Sequence, residues 1–195
     1  MIARVGRAGW MMGIGMLATM VHGAVWGQAP DQSASPEAQA LLAQLDEQDV
    51  YERQKAFVRL EALRDPATIP VLRDSLRHRD ADTRAFSVRA LAAVAGASSA
   101  PALIERLRDD RDPDVRLAVI LALEPFHGQD PAIDRALIDA MRDRNSYVRM
   151  AAVDVVSRID QPEAKEALRV RSRRERHRDV RRVLEQAMTR AGLAQ

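Results

Sequence analysis

Cysteine is absent from all 195 residues, which excludes disulfides, thiolate metal sites, a cysteine nucleophile and a lipid-acylated cysteine. Aromatic residues make up only 4% of the chain, too few for a β-sandwich stocked with Tyr, Phe, Trp and Thr. Histidine is almost as scarce. His22, His78, His127 and His177 are scattered, and no His/Glu constellation is expected at the i,i+3 or i,i+4 steps with which a helix holds a metal. Of the nine glycines, most fall in the first 27 residues, while Gly96, Gly128 and Gly192 follow apolar helical stretches. No phosphate-cradling glycine loop, dinucleotide fingerprint or serine nucleophile elbow is present. Carboxylate neighbours such as Asp109 and Asp110 lie in a polar turn, where solvent is expected to leave them near ordinary behaviour. The sequence therefore predicts no catalytic residues, no metal site and no cofactor.

What remains is 47% hydrophobic and 30% charged, rich in Ala, Leu, Val and Arg, and long enough to bury a continuous core. That composition favours helices throughout. At the N-terminus Arg4 and Arg7 precede the uncharged run Trp10 to Val21, and small residues follow, with Val25 and Gly27 fitting a cleavage site. This is the layout of a secretory signal peptide over residues 1–27. The uncharged run falls short of the roughly 20 residues that span a bilayer, so no stable transmembrane span is expected after cleavage. Export to the periplasm or the extracellular space follows, the alternative being an anchor formed by an uncleaved N-terminal helix. Residues 28–35 are a linker.

Without Arg4 and Arg7, the 30 basic residues become 28 against 28 acids. A mature chain so balanced lacks the overall positive charge on which nucleic-acid binding depends. The charge is unevenly spread: Asp31 to Asp65 holds eight acids and four bases, whereas Leu168 to Arg190 holds nine arginines and three acids. One end should be negative and the other positive.

Internal repetition is the strongest signal. Arg53, Arg84, Arg116, Arg149 and Arg181 recur at spacings of 31, 32, 33 and 32 residues. Seven residues beyond each stands Leu60, Leu91, Leu123, Val156 or Met188, tracing one face of a helix. A second helix lies upstream in each unit, marked by Leu41 with Leu45, Leu72 with Leu76, Leu103 with Leu107, Leu137 with Met141, and Leu168 with Ser172. Pro36, Pro66, Pro131 and Pro162 fit the first turn of that upstream helix, and Asp65 and Asp130 are candidate N-caps.

The turns between the two helices read RDADTR, RDPDVR, RNSYVR and RHRDVR, ending at Arg84, Arg116, Arg149 and Arg181. They resemble the D-P-x-V-R turn of HEAT repeats, and the short period is similar to the bacterial HEAT-like type found in phycobilisome-lyase relatives. The resemblance implies an all-α fold, a right-handed α-α superhelix of about five helical hairpins, over units of about 36–64, 65–96, 97–128, 129–160 and 161–192. Such an armadillo-like solenoid buries apolar stripes between neighbouring hairpins and exposes one concave face. HEAT-like hydroxylases carry paired His-Glu steps that this chain lacks. Some HEAT-like proteins resemble DNA glycosylases, but the expected export and the few exposed aromatics argue against nucleic acid here.

In this frame Asp49, Arg53, Asp80, Arg84, Asp112, Arg116, Arg149, Asp179 and Arg181 form a structural ladder. A carboxylate such as Asp80, Asp82, Asp112 or Asp114 can cap a helix, and the arginines can reach turn carbonyls and acids of adjacent units. The expected function is that of a binding scaffold. Its concave face, lined by the downstream helices, takes a protein or peptide, with Ala85, Arg89, Leu117, Leu121, Met150 and Asp154 as candidate contacts. The C-terminal arginines, Arg171, Arg173, Arg174 and Arg178 among them, are candidates for docking on an anionic surface. The alternative, implied by the lyase-like resemblance, is a maturation factor holding a small cofactor in the same groove.

Overall fold

The computed structural model describes residues 34–193; the expected signal peptide lies outside the described residues. Proline sets where most upstream helices begin, because its fixed φ is already helical and its missing N–H costs nothing in a first turn. Pro36 opens α1 (Pro36–Ala43), Pro131 opens α7 (Pro131–Ala140) and Pro162 opens α9 (Pro162–Arg174). Pro66 starts a single 3₁₀ turn leading into α3 (Ile69–Ser75), and Pro101 sits in the first turn of α5 (Ala100–Asp109).

A side-chain cap starts four of the five downstream helices. Asp49 accepts from the Tyr51 N–H at the head of α2 (Val50–Leu63), and Asp80 from the Thr83 N–H at α4 (Ala81–Ala95). Asp112 accepts from the Asp114 N–H at α6 (Pro113–Leu123), and Asn145 from Tyr147 and Val148 at α8 (Ser146–Val156). Each cap contributes about 1 kcal/mol. Asp82 and Asp114 are not caps; they lie in the first turn, where their charge meets the positive end of the helix dipole. The fifth downstream helix, α10 (Arg178–Arg190), begins at His177 without a side-chain cap.

The helices stack as five hairpins in two rows. In the inner row α4 packs on α2 and α6, α6 on α8, and α8 on α10; contacts along the outer row, α5 to α7 to α9, are fewer. Closer packing along one row curves the stack toward it, so α2, α4, α6, α8 and α10 line the concave side. The upstream apolar pairs, Leu41/Leu45 through Leu137/Met141, are buried, as are Val115, Val148 and Val180 beside the repeating arginines. These side chains form one core running from the first hairpin to the last. Among the described residues there is no strand. The fold is an all-helical superhelical repeat.

Gly96, Gly128 and Gly192 all have positive φ where a downstream helix ends, a conformation free of penalty only for glycine. Ala81–Asp109 is apolar enough to pass for a membrane span by composition, but the turn at Gly96 folds it into a hairpin whose apolar face is in the core.

Candidate functional site

The ladder is a chain of ion pairs in which each unit's arginine reaches the acid of the next unit. Arg84 grips Asp110 with two bonds of 2.8 Å, Arg116 grips Asp143 with two of 2.7 Å, and Arg149 reaches Glu175 at 3.0 and 3.2 Å. Arg53 starts the series with Thr83 Oγ1 at 3.0 Å and Asp80 at 3.2 Å. The remaining arm, Nη1, of each arginine donates to two carbonyls of its own turn, as Arg116 does to Asp110 and Arg111. Fork geometry of this kind is what a planar guanidinium satisfies and a lysine does not.

Three of the four acceptors, Asp110, Asp143 and Glu175, were not among the expected ladder residues. Asp110 is buried and paired, contrary to the expectation that the Asp109–Asp110 turn is solvated. Asp179 is no rung: it lies exposed in the first turn of α10, and Glu175 holds the place expected for it. Arg181 lies exposed with no side-chain partner among the described residues.

Burial alone would push these carboxyls up. Their hydrogen bonds outweigh it, those of Thr83 and Arg53 at Asp80, of Arg84 and the Asp112 N–H at Asp110, and of Arg116 and the Asn145 N–H at Asp143, so each lies below its ordinary value. Glu175 is the extreme case: desolvation is overcome by the His177 N–H, Arg171 and Arg149, which hold it at about 2. A carboxylate whose folded pKa is depressed stabilises the fold above its unfolded pKa and loses that contribution as pH falls through the folded value. For Glu175 the window runs from about 4.5 down to about 2. The melting temperature is therefore expected to drop steeply as pH falls through that range, and Glu175→Gln should lower it at neutral pH while flattening part of the slope. A melting curve independent of pH below 5 would refute the ladder's role in stability.

On the concave side, α4 and α6 line a groove of about 690 Å³ with the end of α2 at its rim. Its floor and walls are small and apolar: Ala92, Ala93, Leu117, Ala118, Leu121 and Ala122, closed at one end by Pro125 and Phe126. Leu121 is 54% exposed, and Leu117 and Ala118 are half-buried. Charges ring the groove: Glu61 pairs with Arg89 at 3.3 Å, and Asp114 and Arg64 complete the rim. Arg64 has φ 52° in the place that glycine takes 32 residues on at Gly96, a backbone state that costs a side chain about 1 kcal/mol.

Of the six expected contacts, the groove brings together Arg89, Leu117 and Leu121. It leaves out Ala85 and Met150, which are half-buried against the core, and Asp154, which is held by Arg158 and Arg190 at 2.8 Å each. Ala93, Ala118 and Ala122 also line the groove without having been among the expected contacts, Ala118 and Ala122 each following an expected leucine by one position. At the C-terminal end Arg171 is taken up by Glu175, which removes it from the candidates for an anionic partner, while Arg173, Arg174 and Arg178 are exposed without an acid partner among the described residues.

No group of three or more His, Asp and Glu side chains is poised to hold a metal among the described residues. Contrary to the expectation of no His/Glu step, Glu124 and His127 stand three apart, but Glu124 is engaged by Arg158 at 2.7 Å.

A family model described as HEAT repeats matches residues 38–124 and 100–189. The chain belongs to the HEAT-repeat family. These HEAT repeats superpose on solved structures that share the fold. One is a chain from the complex of CpcE and CpcF of phycocyanin lyase from Nostoc sp., with a TM-score of 0.65 and 22% identity, over 77% of this chain and 97% of that one. Another is an engineered protein, with a TM-score of 0.53 and 18% identity over 80% of each chain. Comparison with curated protein sequences gives no match. At such identities the likeness establishes the HEAT-repeat scaffold and nothing finer.

Proposed function

We propose that this protein is an exported HEAT-repeat scaffold, working in the periplasm or outside the cell, that holds a segment of another protein in the groove between α4 and α6. The observation that carries the reading is Leu121, a large apolar side chain 54% exposed in the middle of an apolar, charge-rimmed groove. Such surfaces cost free energy when left in water and mark interfaces. Alanines on both helices let a partner backbone approach closely. The similar chain from Nostoc sp. comes from a complex of two proteins, which accords with partner binding. A cofactor-holding, lyase-like role is less well supported by this groove. It is open along one side, and its Glu61–Arg89 pair is already satisfied, whereas cofactor sites are enclosed and present convergent polar groups.

A photo-crosslinking residue at position 121 in cells is expected to trap a discrete protein, and one at Glu105 on the outer row is not. Leu121→Asp should weaken capture of that protein on the order of tenfold, about 1.4 kcal/mol, without lowering the melting temperature. Equal yields from both positions would sink the groove reading. Cell fractionation with N-terminal sequencing tests export separately, with a mature start near Gln28 as the expected result.

A further inference from the structure

The ladder has a register, and both of its ends are unfinished. Asp110, Asp143 and Glu175 each stand six residues before their own unit's ladder arginine, and each accepts the arginine of the preceding unit. The same register puts Glu47 six residues before Arg53. The Glu47 carbonyl takes the Arg53 guanidinium at 2.7 Å, but its side chain is exposed and has no arginine to receive among the described residues. At the other end Arg181 is the matching donor without an acceptor.

The surroundings of the two are complementary. Arg173, Arg174, Arg176, Arg178 and Arg182 are exposed near Arg181, and no carboxylate among the described residues pairs with them. Glu47 lies beside exposed Asp49 in the acid-rich first unit. Where the inner helices bury Phe57, Val88, Ile120 and Val153 four residues after the ladder arginine, α10 carries exposed Glu185. That end is polar, so it does not receive an apolar hairpin, and what its geometry fits is a carboxylate.

We propose that the basic end of one copy docks on the acidic end of a second, with Glu47 of the second copy closing on Arg181 of the first as one more rung. The contact is head-to-tail, so it leaves a free end on each side and can extend. With no apolar seal it is weak, and charge at the joint governs it.

Sedimentation velocity on the full chain, over a concentration series, tests this at about 0.01 M and about 1 M salt, where the Debye length is about 30 and 3 Å. Association that grows with concentration at low salt and vanishes at high salt is expected. Arg181→Glu alone and Glu47→Lys alone should each weaken it on the order of tenfold or more. Both sites are exposed, so helical circular dichroism and melting should match wild type. An equimolar mixture of the two variants should associate again, because the unaltered acidic end of the first meets the unaltered basic end of the second. A wild type that stays monomeric at low salt overturns the proposal. So does association that both variants retain, which would place the contact elsewhere, and so does a mixture that fails to recover.

Discussion

Val115→Asp is expected to lower the melting temperature by roughly 10 °C or more. Val115 is fully buried in the first turn of α6, so the change removes about 1.5–3 kcal/mol of apolar burial and puts a carboxylate where no partner waits, for a total of roughly 4 kcal/mol. In a protein of this size each kcal/mol moves the midpoint by about 2–4 °C. The damage should spread to both neighbouring hairpins, since α6 packs on α4 and α8 as well as α5. Val115→Ala, which leaves no buried charge, should cost much less. Midpoints for Val115→Asp within a degree or two of wild type would show that this valine does not face the core.

Arg116→Met should cost about 3 kcal/mol, nearly as much, for a different reason. The Arg116 side chain is 3% exposed, and its guanidinium satisfies Asp143 together with the carbonyls of Asp110 and Arg111. Removing it strands a nearly buried carboxylate and two carbonyls, and breaking one side of a buried pair typically costs about 3–5 kcal/mol. Changing both partners, Arg116→Met with Asp143→Leu, should recover part of that loss, because the bare charge is gone. Denaturant unfolding of the four proteins in a double-mutant cycle gives the coupling directly. A coupling energy below about 0.5 kcal/mol would mean that the two residues are merely neighbours. The same substitution at Arg53 is expected to cost less, since its partner Asp80 is about one third exposed.

The repeat was legible because its causes are local. A proline in a first turn, a capping Asp or Asn and a 3-to-4 apolar step each act within a few residues, so Pro36, Pro131, Asp80 and Asp112 announce their elements directly. The partners of the ladder were not, since each bond spans 26 or 27 residues. A signal was nonetheless present: Asp110, Asp143 and Glu175 recur six residues before Arg116, Arg149 and Arg181, a period hidden by comparing arginines alone. In the groove Leu117 and Leu121 could be placed from helical spacing. Ala93, Ala118 and Ala122 could not, because which side of α4 and α6 faces outward is fixed by how those helices pack on their neighbours. Asp154 shows the same limit, its hold on Arg190 crossing 36 residues.

Ladder rungs join each hairpin only to the next, so the molecule behaves mechanically as joints in series. A small rotation repeated at each interface opens or narrows the whole crescent, and the resistance of the ladder is set by its weakest rung. The joint between the first and second hairpins has the weakest rung. Its rung, Arg53 to Asp80, makes a single ion-pair contact of 3.2 Å where the others hold two. At the level of the ladder, bending is therefore least resisted at the acidic end, beside the rim of the groove, where the Glu61–Arg89 pair and the α2–α4 packing carry more of the joint, while the second to fifth hairpins are held by double rungs throughout.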